Sequence, residues 1–452
     1  VYKRQVGKAR RVHLMPGIPK PGVGATDHLQ ADVVVVGGGT AGFGAAVAAA
    51  RLGLDTHLFE ASSKIGGVMA FCPGMPWGAA YPCNASIGGL MAELSGRLYD
   101  MMPPAAEKRP CALANFGPEI QYDHDIATLT MFEMLEEEGV HLHLNTTMTG
   151  PVLDGSHVSS VAYVDRHGAQ EIVPRVVIDC SGDGDLSAKA GVPFTLGDGQ
   201  GNVMGVTVSF MMIGADWSRI FVSDDPYFRD FAGKGIAEGR LHPDLHQLYL
   251  MKGFYPDTVF CNSVVIRDVD GTNPDQLTSA AQEGRRRCLE LARFLKSDIP
   301  GFEIARMTML GPTVGVRETR KLEGMHRITG EELARATKFS DGIVACDNPI
   351  DDVMRGTEMT HDAIVGEGSY YTIPFRALVP KHVSNLMFAG RIVSADPVAF
   401  ASVRGMPQCM AMGQAAGTAA SLALKHSVSV QEVDTGELVS ALQMQGVKGL
   451  IV

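Results

Sequence analysis

Gly37, Gly39 and Gly42 stand in the spacing G-x-G-x-x-G, and a carboxylate, Glu60, closes the next apolar run, with Ala61 after it. Glycine at the first position permits a tight turn, at the second it lets the backbone approach a diphosphate, and at the third it allows a helix to pack close to a strand. Thr40 and Ala41 fill the loop between them. A helix beginning there offers unpaired N–H groups and a partial positive charge to phosphate oxygens, while Glu60 would accept hydrogen bonds from ribose hydroxyls. The chemistry implied is the holding of a dinucleotide, and this motif alone does not choose between NAD and FAD.

Those residues need a strand, a turn and a helix in that order. The four valines Val33 to Val36 form a β-branched run that predicts a buried parallel strand. The glycines predict a turn opening the alanine-rich helix Ala45 to Leu52, and a second strand follows over Asp55 to Phe59. The eighteen uncharged residues between Asp32 and Arg51 are long enough to suggest a membrane span. A spanning helix would not begin with four valines and then take Gly37, Gly38, Gly39, Gly42 and Gly44, so a nucleotide-binding start is the better reading and no membrane span is expected.

A chain of 452 residues exceeds what one core usually serves, so two units sharing a ligand are expected. Hydrophobic residues at 45% and charged residues at 20% are ordinary for a globular protein with a large core. The formal charge of -11 argues against gripping phosphate backbones, so no nucleic-acid partner is expected. The eight cysteines are scattered without a CxxC pair, which points to a reducing cytoplasm and to no metal; Cys72 and Cys83 bracket a loop and could pair. Arg10 and Arg11 precede a Pro/Gly-rich stretch without an apolar run, so no secretion signal is expected. Residues 1–29 are set aside as an extension, its opening VYKRQ resembling a translated sequencing-adaptor end.

Three later segments bear on which dinucleotide is held. SSKIGGVMAFCPG carries the doublet Gly66-Gly67, which lets the backbone approach a ligand a second time. VPRVVIDCSGDGDLSAKAG predicts a strand over Val176 to Asp179 that enters a Gly/Asp turn and a small-residue helix. VSNLMFAGRIVSADPVAFASVRGMPQCMAMGQAAGTAASLAL predicts a strand over Asn385 to Ala389, a loop, and a long helix from near Pro407. In these segments and their order the chain resembles the FAD-dependent oxidoreductases with a glutathione-reductase-type FAD domain. Within them it resembles a poorly characterised bacterial subfamily distantly related to fumarate reductase flavoproteins. The matching segments, which include GPTVGVRETRKLEG and YYTIPFRALVPKHVSNLMFAGR, run from about residue 30 to the C-terminus.

The resemblance implies an α/β fold: a Rossmann-like FAD-binding domain assembled from discontinuous segments, with an inserted α+β substrate domain. Residues 30–195 would form its first part, 196–366 the insertion, 367–428 its C-terminal part and 429–452 a helical tail. FAD would be held by Gly37, Gly39, Thr40, Ala41, Gly42, Glu60, Ala61, Gly66, Gly67, Ser181, Gly182 and Asp185, and by Gly390, Arg391, Met412 and Gly413 from the late segments. Gly390 and Arg391 would lie near the diphosphate and ribityl chain. The Pro407 helix would turn its N-terminus to the isoalloxazine ring and stabilise the anion that develops on reduction. Such a helix end is worth roughly 1–2 kcal/mol, or about 20–40 mV in a two-electron potential, so it assists reduction without fixing its direction. No histidine closely follows Gly66-Gly67, so noncovalent FAD is expected.

A flavin enzyme needs from its protein a proton donor or acceptor and a group that orients the substrate. The candidates are His361 in EMTHDAIVGEG, Tyr370 and Tyr371 in GSYYTIPFR, Arg317 and Arg320 in GVRETR, and Arg404 in SVRGMP. Histidine titrates near neutrality, and arginine binds carboxylates through two hydrogen bonds. His361, Arg404, Tyr371 and Arg317 form the expected catalytic set, although Arg317 and Arg320 with Glu318 equally suit a structural ion-pair network. The subfamily often has a histidine after Pro-Ile-Asp and another after the flavin strand. Asp352 and the ADPVAF segment stand in those places here, so a mechanism needing those histidines is not expected.

The expected function is hydride transfer between a small polar organic substrate and flavin N5, as in a dehydrogenase, with an unknown electron acceptor. One rival is reduction of an activated C=C bond in an unsaturated acid, with arginines clamping the carboxylate as in fumarate reductases. Another is a non-catalytic or RNA-associated flavoprotein, while a plain NAD dehydrogenase leaves the late AGR and MGQAAG segments unexplained. A homodimer is open, with Val433 to Gln443 predicted as a short amphipathic helix that caps the domain or meets a partner.

Overall fold

The computed structural model describes residues 29–451 except 73, 79–87, 112–116, 221–224, 354–358 and 367. β1 (Leu29–Val36) is the axis of the main sheet, and its Val33, Val34 and Val35 have no exposure, as befits a strand covered on both faces. Beside it run β2 (Thr56–Glu60) and then β3 (His141–Leu144). On the other side β4 (Thr147–Asp154) and β5 (His157–Asp165) lead by hairpin pairing into β6 (Gly168–Asp179). The order β3-β2-β1-β6 is parallel throughout, the topology that a strand, helix and strand unit requires.

β6 is longer than the predicted strand because it serves two neighbours. Its first half pairs antiparallel with β5, while Val177, Ile178 and Asp179 pair in parallel with the late strand Leu386–Phe388. The late segment thus enters the sheet that the first residues began.

Between β1 and β2 lies α1 (Thr40–Arg51), which starts at the glycine turn rather than at Ala45. A second, antiparallel sheet is built from β7 (Val206–Ile213), β8 (Leu250–Lys252), β9 (Thr258–Ile266) and β10 (Arg306–Leu310) in the order β8-β9-β7-β10. Across it lies α2 (Pro274–Asp298), capped by Asn273, whose side chain accepts from the Asp275 and Gln276 N–H groups. Phe210, Leu291 and Phe302 belong to the separate core that this sheet and helix enclose. Of the consecutive Arg285, Arg286 and Arg287 on α2, Arg287 turns inward to Asp244 at 2.9 Å. Ile328, Ile343 and Cys346 pack into the core of the main sheet instead.

After the late strand come α3 (Pro397–Val403) and α4 (Met406–His426). α4 meets α1 backbone to backbone. A Cβ added at Gly413 would lie 1.9 Å from the Ala41 carbonyl oxygen, one at Gly417 2.3 Å from that of Ala45, and one at Gly44 2.3 Å from that of Met410. Glycine alone permits such an approach. Ala45, Ala49, Ala416 and Ala420 fill the rest of the contact with no exposure. The stretch from Gly405 to Leu424, which has no charged residue, is therefore a helix inside the protein, and among the described residues no helix is long and apolar enough to cross a membrane. The last helix, Thr435–Met444, buries Leu438, Val439 and Leu442 against the main core and so caps it.

The helix His124–Glu137 begins with a half-buried base. The Gly74 N–H donates to His124 Nε2 at 3.1 Å, and the imidazole stacks on Tyr122 with centroids 4.3 Å apart. Burial lowers the pKa of His124 to about 4, against an ordinary value of 6.5. The unfolded chain therefore takes up this proton first, so the stability tied to neutral His124 is complete above about pH 6.5 and is lost as the pH falls toward 4. Urea unfolding across that window should lose about 1–3 kcal/mol more in the wild type than in His124→Phe. Equal pH slopes for the two proteins would rule out His124 as the titrating group.

Candidate active site

The segments expected to hold a dinucleotide meet at the C-terminal ends of the parallel strands, where such folds bind ligands. Gly37 has φ of +97°, and a Cβ on it would lie 2.5 Å from the Cys180 carbonyl oxygen; one on Gly42 would lie 1.7 Å from that of Gly37. Gly39 is different, because among the described residues nothing lies within 4 Å of its added Cβ. It is the N-cap of α1 and offers no side-chain cap, so the helix end, with Thr40 and Ala41 in its first turn, opens onto free space.

Around this loop the other segments close in. Glu60 Oε2 accepts from the Gly38 N–H and Oε1 from the Ser62 N–H, each at 2.7 Å, which fixes the carboxylate beside the glycines; Ala61 is exposed. The Gly66 N–H donates to the Gly38 carbonyl at 2.7 Å, and a Cβ on Gly67 would lie 3.1 Å from Gly39 Cα. Gly390, at φ of +93°, would bring a Cβ to 3.0 Å from that of Ala41. Arg391 donates to Asp183 Oδ1 at 2.8 Å and to Thr319 Oγ1 at 3.1 Å, with Gly182 beneath its guanidinium. Ser181 Oγ accepts from the Gly184 N–H at 3.0 Å and shapes this turn. Asp185 lies farther out, paired with Arg320 at 2.7 Å. Met412 is wholly buried and Gly413 is enclosed by α1, so both act from behind the cradle.

An uncapped helix end, open space above a glycine and a fixed carboxylate nearby make a donor and acceptor set that fits the diphosphate and ribose of FAD. Beyond Gly67 lie two cavities of about 200 and 300 Å³ that share Val68, Met75, Asn262, Arg317 and Arg404. One reaches residues 405–407 at the start of α4, where Gly405 again offers no side-chain cap; the other reaches Gly67 and Arg391.

Arg317 and Arg404, far apart in sequence, are thus brought together. Arg317 donates to Thr207 Oγ1 at 2.9 and 3.1 Å and to Asn262 Oδ1 at 3.4 Å, and these acceptors are neutral. Burial lowers its pKa, opposed by Asp351 and reinforced by the like charge of Arg404. Arg404 Nη2 donates to the Asp351 carbonyl and to its Oδ2, both at 2.7 Å, while its buried Nε has no acceptor among the described residues. The suggested network of Arg317, Glu318 and Arg320 divides: Glu318 is buried with Lys321 at 2.6 Å, Arg320 holds Asp185, and Arg317 faces the cavities.

Tyr371 is not brought to this place. Its hydroxyl is buried 2.6 Å from Ser402 Oγ and 3.1 Å from Cys346 Sγ, outside both cavities. Tyr370 lies under the Lys338 ammonium, 4.0 Å from its ring centroid. The side chain of His361 lies outside the described residues; its backbone, in β12 (Met359–Asp362), pairs with Asp351 of β11 (Ile350–Val353). Cys83 also lies outside the described residues, and Cys72 Sγ sits 3.3 Å from Ser209 Oγ. Sequence reasoning missed Thr207, Asn262 and Asp351. Asp351 adjoins Asp352 in NPIDDVM and carried a usable signal, whereas Thr207 and Asn262 are ordinary polar residues within strands.

A sequence model of the family described as FAD dependent oxidoreductase matches residues 32–443. Among solved structures, a geranylgeranyl bacteriochlorophyll reductase-like protein from Thermoplasma acidophilum is similar at 13% identity and a TM-score of 0.48, over 93% of this chain and 85% of its own. A flavin-dependent brominase is similar at 15% identity and a TM-score of 0.48, over 92% and 83%. The p-nitrophenol 4-monooxygenase of Pseudomonas putida is similar at 13% identity and a TM-score of 0.47, over 92% and 84%.

The open space at Gly39 separates folding from binding. Gly39→Val should cost the flavin-free protein no more than about 1–2 kcal/mol, the loss of a good N-cap, yet the purified protein should keep little flavin. Gly42→Ala should lose both stability and flavin. Full flavin retention in Gly39→Val, read from the flavin-to-protein absorbance ratio, would contradict a ligand at that loop.

Proposed function

The chain belongs to the FAD-dependent oxidoreductase family, and from that premise we propose that it exchanges a hydride with a small polar organic acid bound against Arg317 and Arg404. Membership makes it an enzyme with FAD as cofactor and sets aside the non-catalytic reading. Bound FAD supplies the two-electron chemistry, taking or giving the hydride. Its attachment is noncovalent in this reading, since no histidine closely follows Gly66-Gly67.

The observation that supports an acid is the state of the two guanidiniums. Arg317 faces the shared cavity while bonded to neutral oxygens, and Arg404 keeps a buried Nε without an acceptor. Partly buried cations with spare donors favour an anion, and a carboxylate matches the arginine fork. Thr207 and Asn262 hold Arg317 in place, and Asp351 does the same for Arg404. Val68, Met75 and Met406 give the same space apolar walls that exclude water. The start of α4 adds a partial positive charge there. Tyr371, buried against Ser402 and Cys346, is poorly placed to move a proton in that cavity.

Oxidation of a hydroxy acid is the forward reading. Reduction of an activated C=C bond in an unsaturated acid is the second, favoured by the same arginine pair. The seven cysteines among the described residues are free thiols, which supports a reducing, cytoplasmic setting.

Under anaerobic conditions small hydroxy acids should bleach the flavin while sugars and amines leave it yellow. Reoxidation of prereduced enzyme by unsaturated acids, without bleaching by hydroxy acids, would assign the second reading; no response to either class would sink both. Arg317→Gln should lose about 2–5 kcal/mol of substrate binding, roughly thirtyfold to a few thousandfold in kcat/KM, with flavin content unchanged.

A further inference from the structure

Three histidines and an aspartate gather at the end of β2 opposite Glu60, outside the cradle and both cavities. β2 and β3 pair in parallel with His57 beside His141 and Phe59 beside His143. Residues two apart on a strand share a face, so His57, His141 and His143 stand together at the sheet's edge. Asp55, just before β2, reaches the same spot, with Oδ1 3.5 Å from His57 Nε2 and 3.4 Å from His141 Nε2. These three ligand atoms lie within 4.8 Å of one another. A tetrahedral zinc ion, with bonds of about 2.0–2.1 Å, holds its ligand atoms about 3.3–3.4 Å apart. Two of the separations already come close to that; the His57 and His141 rings stack with centroids 4.5 Å apart, and they must turn apart for both to face one ion.

The surroundings prepare His57 as a ligand. Its Nδ1 lies 2.9 Å from His143 Nε2. With the Nδ1 proton donated to His143, His57 turns the lone pair of Nε2 toward Asp55 and His141, the arrangement in which an outer partner fixes the tautomer of a metal ligand. Phe59 stacks on His143 at 4.3 Å and backs the group with an apolar wall. The His141 and Asp55 side chains are 60% and 48% exposed, which leaves room for an ion to arrive and for water as a fourth ligand.

We propose that Asp55, His57 and His141 bind a divalent transition-metal ion of the zinc class, with His143 as the positioning residue behind His57. The ion would clip the edge strand β3 to β2, whose other end carries Glu60. Its role is structural and does not rest on the substrate reading above.

Tag-free holoenzyme, treated with a chelator and dialysed into a non-chelating buffer near neutral pH, is titrated with Zn²⁺ by calorimetry. The wild type should bind one equivalent at micromolar or lower zinc, and its Tm should rise with the metal. His141→Ala and Asp55→Ala, both at exposed positions, should keep their flavin spectrum, bind zinc at least about tenfold more weakly and show no rise in Tm. His143→Phe should weaken binding by about tenfold or more while leaving all three ligands in place. No binding at micromolar zinc, or equal affinity and Tm shift in wild type and His141→Ala, would overturn the site.

Discussion

The close approach of α1 to α4 decides where everything else lies. The carbonyl oxygens of Ala41 and Ala45 occupy space that any side chain at positions 413 and 417 would need, and the Met410 carbonyl does the same to position 44. Overpacking such a contact costs about 1–3 kcal/mol and moves the backbone. The contact ties residues near the start of the described chain to residues near its end. It sets the loop at 37–42 beside Gly390, and the start of α4 beside the cavity that holds Arg317 and Arg404. A long ligand whose diphosphate and flavin ring are separated by a ribityl chain needs two such surfaces at a fixed separation.

Charge is distributed to match. The chain is acidic overall, at -11, yet its cleft brings together two helix starts without side-chain caps and the guanidiniums of Arg317, Arg391 and Arg404. The nearby carboxylates are engaged with the protein: Glu60 with the Gly38 and Ser62 amides, Asp183 with Arg391, and Asp351 with Arg404. Glu119, which also lines one cavity, is paired with Arg109 at 2.7 Å. The donors left over at the helix starts and on Arg317 favour anionic ligands at the diphosphate and at the substrate alike. Division of labour follows from burial. Glu318 and Lys321 pair inside the protein and serve the fold, whereas Arg317 keeps neutral hydrogen-bond partners and stays available.

Local patterns carried most of the fold. The valine run, the glycine spacing and the alanine-rich helix each signal a conformation within a few residues, and the late strand beside Arg391 has the same local signature. The extent of β6 was less legible, because its first half is stabilised by a hairpin partner and not by its own composition. The site divides along the same line. Gly37, Gly42 and Arg391 announce themselves by motif, but Thr207 and Asn262 arrive through antiparallel pairing of β7 with β9, a long-range contact that leaves no mark on either strand. Tyr371 shows the opposite failure: a tyrosine at an attractive position in sequence is consumed by packing against Ser402 and Cys346. The histidines of β3 were readable as an alternating His-Leu-His on one strand face, yet their meaning depends on His57 across the sheet.

Electron density for FAD in crystals of the holoenzyme tests the shared cradle most directly. The diphosphate should lie against the loop 37–42, within hydrogen-bond reach of the first amides of α1, and the isoalloxazine ring should face residues 405–407 on the side of Arg317 and Arg404. A diphosphate seated elsewhere, or a ring directed away from those arginines, would contradict the convergence of early and late segments on one cofactor.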